Sequence, residues 1–123
     1  MKKLLLSFVL LFFSLFSFAQ VGMSEVATAT GGYNFVRTAV AGTTTVKAST
    51  AKLHTITINT IGSGTTPVPT LTVYNSTTAT GPIVAVINSG SGPITLRYGV
   101  TLSDGLTIVN AGTVAADITI SYK

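Results

Sequence analysis

The stretch ITLRYGVTL, residues 94–102, has the clearest alternation of apolar and polar residues in the chain. Its apolar side chains occupy every second position, and in an extended segment such positions face the same side. The intervening Thr, Arg and Gly residues face the other side. This pattern predicts a β-strand with one face against a core.

Segments of the same character fill the chain from residue 33 onward. They are rich in Thr, Val and Ile, which favour strands, and Gly, Pro, Asn and Ser residues separate them. The predicted strands are 33–40, 43–48, 53–60, 70–75, 83–88, 94–102, 106–110 and 116–122. Residues 83–88 are apolar on both faces, which predicts a buried strand. The pattern predicts one all-β domain, a single antiparallel β-sandwich of about eight strands; jelly-roll and immunoglobulin-like topologies fit it equally well.

Residues 1–19 have the pattern of a secretory signal peptide. Lys2 and Lys3 precede an apolar run from Leu4 to Phe18, and small residues stand at the end of that run. The run is shorter than the roughly 20 residues that a membrane-spanning helix requires. The sequence therefore predicts an exported protein that is cut after Ala19 and contacts the membrane only during export, and a retained membrane anchor is the alternative.

Residues 20–32 have no sustained period and end in two glycines. We interpret them as a flexible N-terminal arm that precedes the domain at 33–123. Strand edges with few charges pair readily with other chains, and only 8% of this chain is charged. Val21, Met23 and Val26 are the candidate residues through which the arm adds to a neighbouring copy. The alternative is a disordered terminus.

The formal charge of +4 does not indicate nucleic-acid binding. Two of the lysines lie in the predicted signal peptide, and the remaining basic residues are scattered rather than clustered into a stripe. The chain has no Cys, so neither a disulfide nor a lipid-modified cysteine can stabilise or anchor it.

The residues that could perform catalysis are few and isolated. His54 is the only His, and it lies in phase with Ile56 and Ile58, which favours a packing role. Asp104 belongs to a Ser-Asp-Gly turn, in which the following Gly supplies a positive φ. Asp117 opens the last predicted strand and is expected to pair with a basic residue or with backbone. We therefore expect no enzyme activity, no metal and no cofactor.

Tyr74 is the best candidate for a surface-binding residue. It lies out of phase with Leu71 and Val73, which predicts that it is exposed, whereas Tyr98 and Tyr122 share the phase of apolar residues. An exposed aromatic residue among polar neighbours is typical of sugar-binding surfaces. A secreted module that binds glycans or a cell surface is therefore one hypothesis for this chain.

Four phrases carry a resemblance to a known group of proteins: LHTITINT (53–60), LTVYNSTTATGPIVAVI (71–87), LRYGVTLSDGLTIV (96–109) and AADITISYK (115–123). Their order resembles that of small β-sandwich proteins encoded among bacteriophage structural genes, which are virion, head-decoration or fibre components. The resemblance implies a non-enzymatic structural role and homo-oligomers. Because the chain also has an export signal, two interpretations of the resemblance remain: a host-encoded surface protein, or a virion component that is routed through the membrane.

The expected function is therefore a structural subunit of a virion, an extracellular filament or a surface assembly. Copies would associate through strand edges and Thr-rich faces, because an uncharged Thr face is easily dehydrated. The expected partners are other copies of the chain and neighbouring virion or cell-surface components.

Overall fold

The computed structural model describes residues 26–29 and 32–123, and this part of the chain consists of strands and their connections. The strands are β1 (Val26–Ala29), β2 (Tyr33–Thr38), β3 (Gly42–Lys47), β4 (Ala51–Thr60), β5 (Thr70–Tyr74), β6 (Ile83–Asn88), β7 (Ile94–Leu102), β8 (Leu106–Ala111) and β9 (Asp117–Tyr122). None of these residues belongs to a helix that could span a membrane. The predicted all-β class is confirmed.

The strands form two antiparallel sheets, consistent with a β-sandwich. One sheet has five strands in the order β1-β2-β9-β4-β7, and the other has four in the order β3-β8-β5-β6. From β2 onward, the pairings are nested: β2 pairs with β9, β3 with β8, β4 with β7 and β5 with β6. The connections therefore cross repeatedly between the two sheets.

The core lies between the sheets and consists mainly of branched aliphatic residues. Its fully buried members from the central strands are Leu53, Ile56, Ile58, Leu71, Val73, Leu106, Ile108, Ile118 and Ile120. They occupy alternate positions in most strands, because successive side chains of a strand point to opposite faces. Burial of this apolar surface is the main stabilising contribution in a chain without disulfides.

The prediction of a buried strand at residues 83–88 is wrong. β6 has the predicted bounds, but it pairs only with β5 and forms an edge of the four-stranded sheet. Ile83 is 59% exposed and Val86 is 63% exposed. Apolar residues on both faces are typical of a central strand, but here only Val84, Ala85 and Ile87 pack against the core.

β4 does not keep the uninterrupted alternation that its sequence predicts. Its register shifts between Leu53 and Thr55 against both neighbouring strands, which marks a β-bulge. As a result, Leu53 is fully buried together with Ile56 and Ile58, and His54 is only half-buried. The prediction that His54 shares the phase of the core residues is therefore wrong.

The turn between β7 and β8 at residues 103–105 occurs where the sequence predicts it. Gly105 has a φ of +123°, which only glycine adopts readily. The side chain that stabilises the turn comes from elsewhere in the chain: the Asn75 Oδ1 accepts a hydrogen bond from the Asp104 backbone N–H at 3.0 Å. Asn75 Nδ2 also donates to Ser103 Oγ at 3.4 Å.

The predicted signal peptide, residues 1–19, lies outside the described residues, and so do Val21 and Met23 of the predicted arm. Val26 begins β1, whose backbone pairs with β2 of the same chain, with Val26 opposite Val36 and Ala29 opposite Tyr33. Part of the predicted arm is thus the edge strand of the five-stranded sheet. Its addition to a neighbouring copy stays a prediction.

Candidate functional site

The edges of the two sheets differ in how well they are protected against pairing with another chain. The β3 edge contains Lys47 and a β-bulge between Thr45 and Lys47. The β7 edge contains the exposed Arg97 and a register shift beside Gly99, whose φ is +64°. The charges on these two edges oppose edge-to-edge pairing.

The β6 edge has no charged residue. Its register shifts once, between Val73 and Tyr74 of the partner strand β5, and residues 85–88 then pair regularly. Ile83 and Val86 are its exposed aliphatic side chains, and the polar Asn88 is exposed as well. An open edge that is apolar and uncharged is the surface on which another strand pairs most easily.

Tyr74, the candidate surface residue, lies beside this edge. It is half-buried, so it is less exposed than the sequence predicts, and it stands directly opposite Ile83 in the register of β5 and β6. Val86 stands opposite Thr72 in the same pair of strands. Tyr74, Ile83 and Val86 together are called the edge patch here. Tyr74 and Ile83 form an aromatic–aliphatic pair across the two strands, and such pairs stabilise a sheet.

The outer face of the five-stranded sheet is polar and rich in Thr. Thr57 and Thr95 share a hydrogen bond between their hydroxyl groups at 3.0 Å, and Asn59 Nδ2 donates to Thr119 Oγ1 at 2.9 Å. Because these groups already bond to each other, dehydrating the face costs less than dehydrating unpaired hydroxyls. Burial of this face against another surface would therefore cost less than burial of a face with unpaired hydroxyls.

Asp117 lies at one end of this polar face, at the start of β9, and forms an ion pair there. Arg37 Nε donates to Asp117 Oδ1 at 2.9 Å and Arg37 Nη2 donates to Oδ2 at 2.5 Å, so the pair is bidentate. Asn59 Nδ2 also lies 3.4 Å from Oδ1. The hydrogen bonds from Arg37 hold the pKa of the Asp117 carboxyl below its ordinary value, although partial burial acts in the opposite direction.

Asp117→Asn is expected to lower the free energy of unfolding by about 1 kcal/mol or less near neutral pH, since the Arg37 side chain is 66% exposed and solvent screens the pair. A carboxyl whose pKa is depressed in the folded state stabilises the fold at a pH above its pKa in the unfolded chain, which is about 3.9. This contribution is lost as the pH falls through the lower pKa of the folded state. The difference between variant and wild type should therefore vanish in strong acid.

Urea unfolding near neutral pH and in acid measures this difference. Asp104→Asn is the matched control, because Asp104 is exposed in a turn, and it should change stability little at either pH. A loss in Asp117→Asn that is equally large in acid would show that the ion pair is not its cause.

His54 takes part in a small cluster with Tyr33 and Lys123. The ring centroids of His54 and Tyr33 lie 4.5 Å apart, and Lys123 Nζ lies 4.6 Å from the Tyr33 ring centroid. These contacts join β2 and β4 to the last residue of the chain across β9. They are packing and cation–π contacts, and they give His54 a structural role in this part of the molecule.

The acidic residues do not converge on a common site. Asp104 lies in the 103–105 turn, whereas Asp117 lies at the other end of the sandwich in its ion pair with Arg37. Among residues 26–29 and 32–123, no three His, Asp or Glu side chains are grouped so that they could hold a metal ion. Glu25 lies outside this part of the chain.

No protein-family model, curated protein or solved structure matches this chain.

Proposed function

We propose that the chain is a non-enzymatic structural subunit of a virion, an extracellular filament or a surface assembly, and that its copies associate through strand edges and Thr-rich faces. The edge patch is the observation that carries the proposal. It combines an unprotected strand edge with two exposed aliphatic side chains and a half-buried tyrosine.

We further propose that the sandwich has jelly-roll topology. The nested pairing of β2 with β9, β3 with β8, β4 with β7 and β5 with β6 supports this assignment over an immunoglobulin-like one. Jelly rolls are frequent among viral capsid proteins and also among lectins. Because one fold serves both, the choice of a structural role depends on the surface and not on the topology.

The compartment in this proposal follows from residues 1–19. A signal peptide that is removed on export would leave the domain outside the cell or on a particle, where copies meet at high local concentration. Association between copies then requires only complementary surfaces. The edge patch supplies an uncharged surface, and the Thr-rich face supplies a polar surface on which Asp117 is paired with Arg37.

The edge patch gives a matched pair of substitutions. Val86, Thr72, Val109 and Thr43 form one row across the four-stranded sheet, with Val86 on the β6 edge and Thr43 on the β3 edge. Both end positions are exposed. Val86→Lys places a charge on the unprotected edge, and Thr43→Lys places the same charge on the edge that already contains Lys47.

The full chain is expressed with its leader, and the exported product is analysed by size-exclusion chromatography with light scattering. Wild type and Thr43→Lys are expected to form large assemblies, and Val86→Lys is expected to form nothing larger than a dimer, because a lysine on an edge opposes strand pairing. Thermal unfolding of the three proteins checks that each is folded.

Two outcomes would contradict the proposal. Unchanged assembly of Val86→Lys would exclude the β6 edge as the contact. A wild-type protein that stays monomeric would exclude the structural role, and if it also bound a glycan array through Tyr74, the module that binds glycans or a cell surface would replace it.

A further inference from the structure

One end of the sandwich has no charged side chain in its loops. The loops 39–41, 61–69, 89–93 and 112–116 connect strands of opposite sheets and all lie at this end. None of them contains Asp, Glu, Lys, Arg or His. This end is called the apolar end. Lys47, Lys52, Asp104 and Lys123 lie at the opposite end.

The apolar end also collects most of the exposed large hydrophobic residues of the described structure. Five residues belong to it: Val40, Ile61, Val68, Ile94 and Val114. The two others, Ile83 and Val86, belong to the edge patch. Single exposed aliphatic residues are normal on a protein surface, but a cluster without interspersed charges marks an interaction surface.

Backbone hydrogen bonds join three of these loops into one rigid platform. Ser63 and Val114 exchange two bonds, each of 2.9 Å. Ser89 accepts from the Gly62 N–H at 3.0 Å and donates to the Pro69 carbonyl at 3.1 Å. The side chains of Ile61, Val68 and Val114 are thus presented by an ordered surface, which lowers the entropy lost on binding.

The N-terminal segment joins the domain at the same end. Val26 stands opposite Val36, whereas Ala29 stands opposite Tyr33, so β1 begins at its end nearer the apolar loops. The sequence that precedes β1 includes Val21 and Met23, two of the candidate assembly residues.

We propose that the apolar end binds the apolar end of a second copy about a two-fold axis. A two-fold contact brings the same surface of each partner together, so a charged residue near the axis would lie close to the same charged residue of the second copy. A surface without charges has no such repulsion. The nearest charges of the described structure, Arg37 and Asp117, neutralise each other.

This inference depends on the proposed function for its partner, a second copy, but it concerns a different surface from the edge patch. A subunit with one contact at its end and another at its edge can extend an assembly in two directions. Blocking the edge contact isolates the end contact, so the two proposals can be tested separately.

The test starts from Val86→Lys, exported and purified from the full chain, and adds one further lysine. Val114→Lys changes the apolar end, and Thr77→Lys is the control, because Thr77 is exposed at the opposite end. Mass is measured by light scattering over a dilution series. The single variant Val86→Lys and the double variant with Thr77→Lys are expected to have the mass of a dimer. The double variant with Val114→Lys is expected to have the mass of a monomer.

Three outcomes would overturn the inference while leaving the proposed function standing. In the first, Val86→Lys is strictly monomeric although the wild type assembles. In the second, Val114→Lys leaves the dimer intact. In the third, monomeric Val86→Lys floats with phosphatidylcholine vesicles and Val114→Lys abolishes flotation, which would assign the apolar end to a lipid surface. A monomeric wild type would instead remove the proposed function itself.

Discussion

Leu53→Asp is expected to abolish folding, whereas His54→Asp is expected to leave the protein folded. Leu53 is fully buried between the two sheets, so the substitution removes an aliphatic side chain and buries a carboxylate without a partner. The combined cost exceeds about 5 kcal/mol, which is the total stability of many small domains.

His54→Asp changes the neighbouring residue, which is half-buried and contacts Tyr33. Loss of a ring contact of this kind costs about 1 kcal/mol. Circular dichroism and resistance to protease compare the two variants. If β4 alternated without a bulge, His54 would face the core and Leu53 would not, so a damaging His54→Asp and a tolerated Leu53→Asp would contradict the structure.

Gly105→Ala is expected to lower the free energy of unfolding by about 3 kcal/mol. The φ of +123° disfavours a residue with a side chain, and a Cβ atom at this position would lie 2.9 Å from the Lys47 carbonyl oxygen. Because that oxygen belongs to the backbone of β3, neither partner can move away without distorting the turn. Urea unfolding measures the loss.

Gly92→Ala is the matched control for this prediction. Gly92 has a similar φ of +139°, but a Cβ atom there would meet no other atom within 4 Å. Only the conformational strain applies, so the expected loss is about 1 to 2 kcal/mol. Equal losses in both variants would show that the close approach to Lys47 contributes nothing.

Local patterns predict the strands of this domain well, because alternation and turn residues act over a few positions. The stretch at 94–102 is a strand with the predicted bounds, and the glycine at 105 has the positive φ that its turn requires. The β-bulge in β4 leaves no comparable signal. An extra residue changes the face on which every side chain beyond it lies, and periodicity alone therefore places His54 in the wrong phase.

The position of a strand within a sheet depends on its pairing with strands that are far away in the sequence. Sequence periodicity carries no information about this pairing. Ile83–Asn88 has the composition of a central strand, but the topology places it at an edge. For the same reason, the sequence singles out Tyr74 without its neighbour Ile83. Sequence periodicity also gives no sign of the apolar end, since its exposed hydrophobic residues come from three separate loops and the start of β7, which only the fold brings together.

The central claim is that this domain exists to assemble, and electron microscopy of the exported wild-type protein tests it most directly. Negative-stain images of the purified product, at a concentration where chromatography detects no aggregation of a monomeric control protein, should contain filaments, rings or particles of regular size. A uniform field of small single domains under the same conditions would contradict the account.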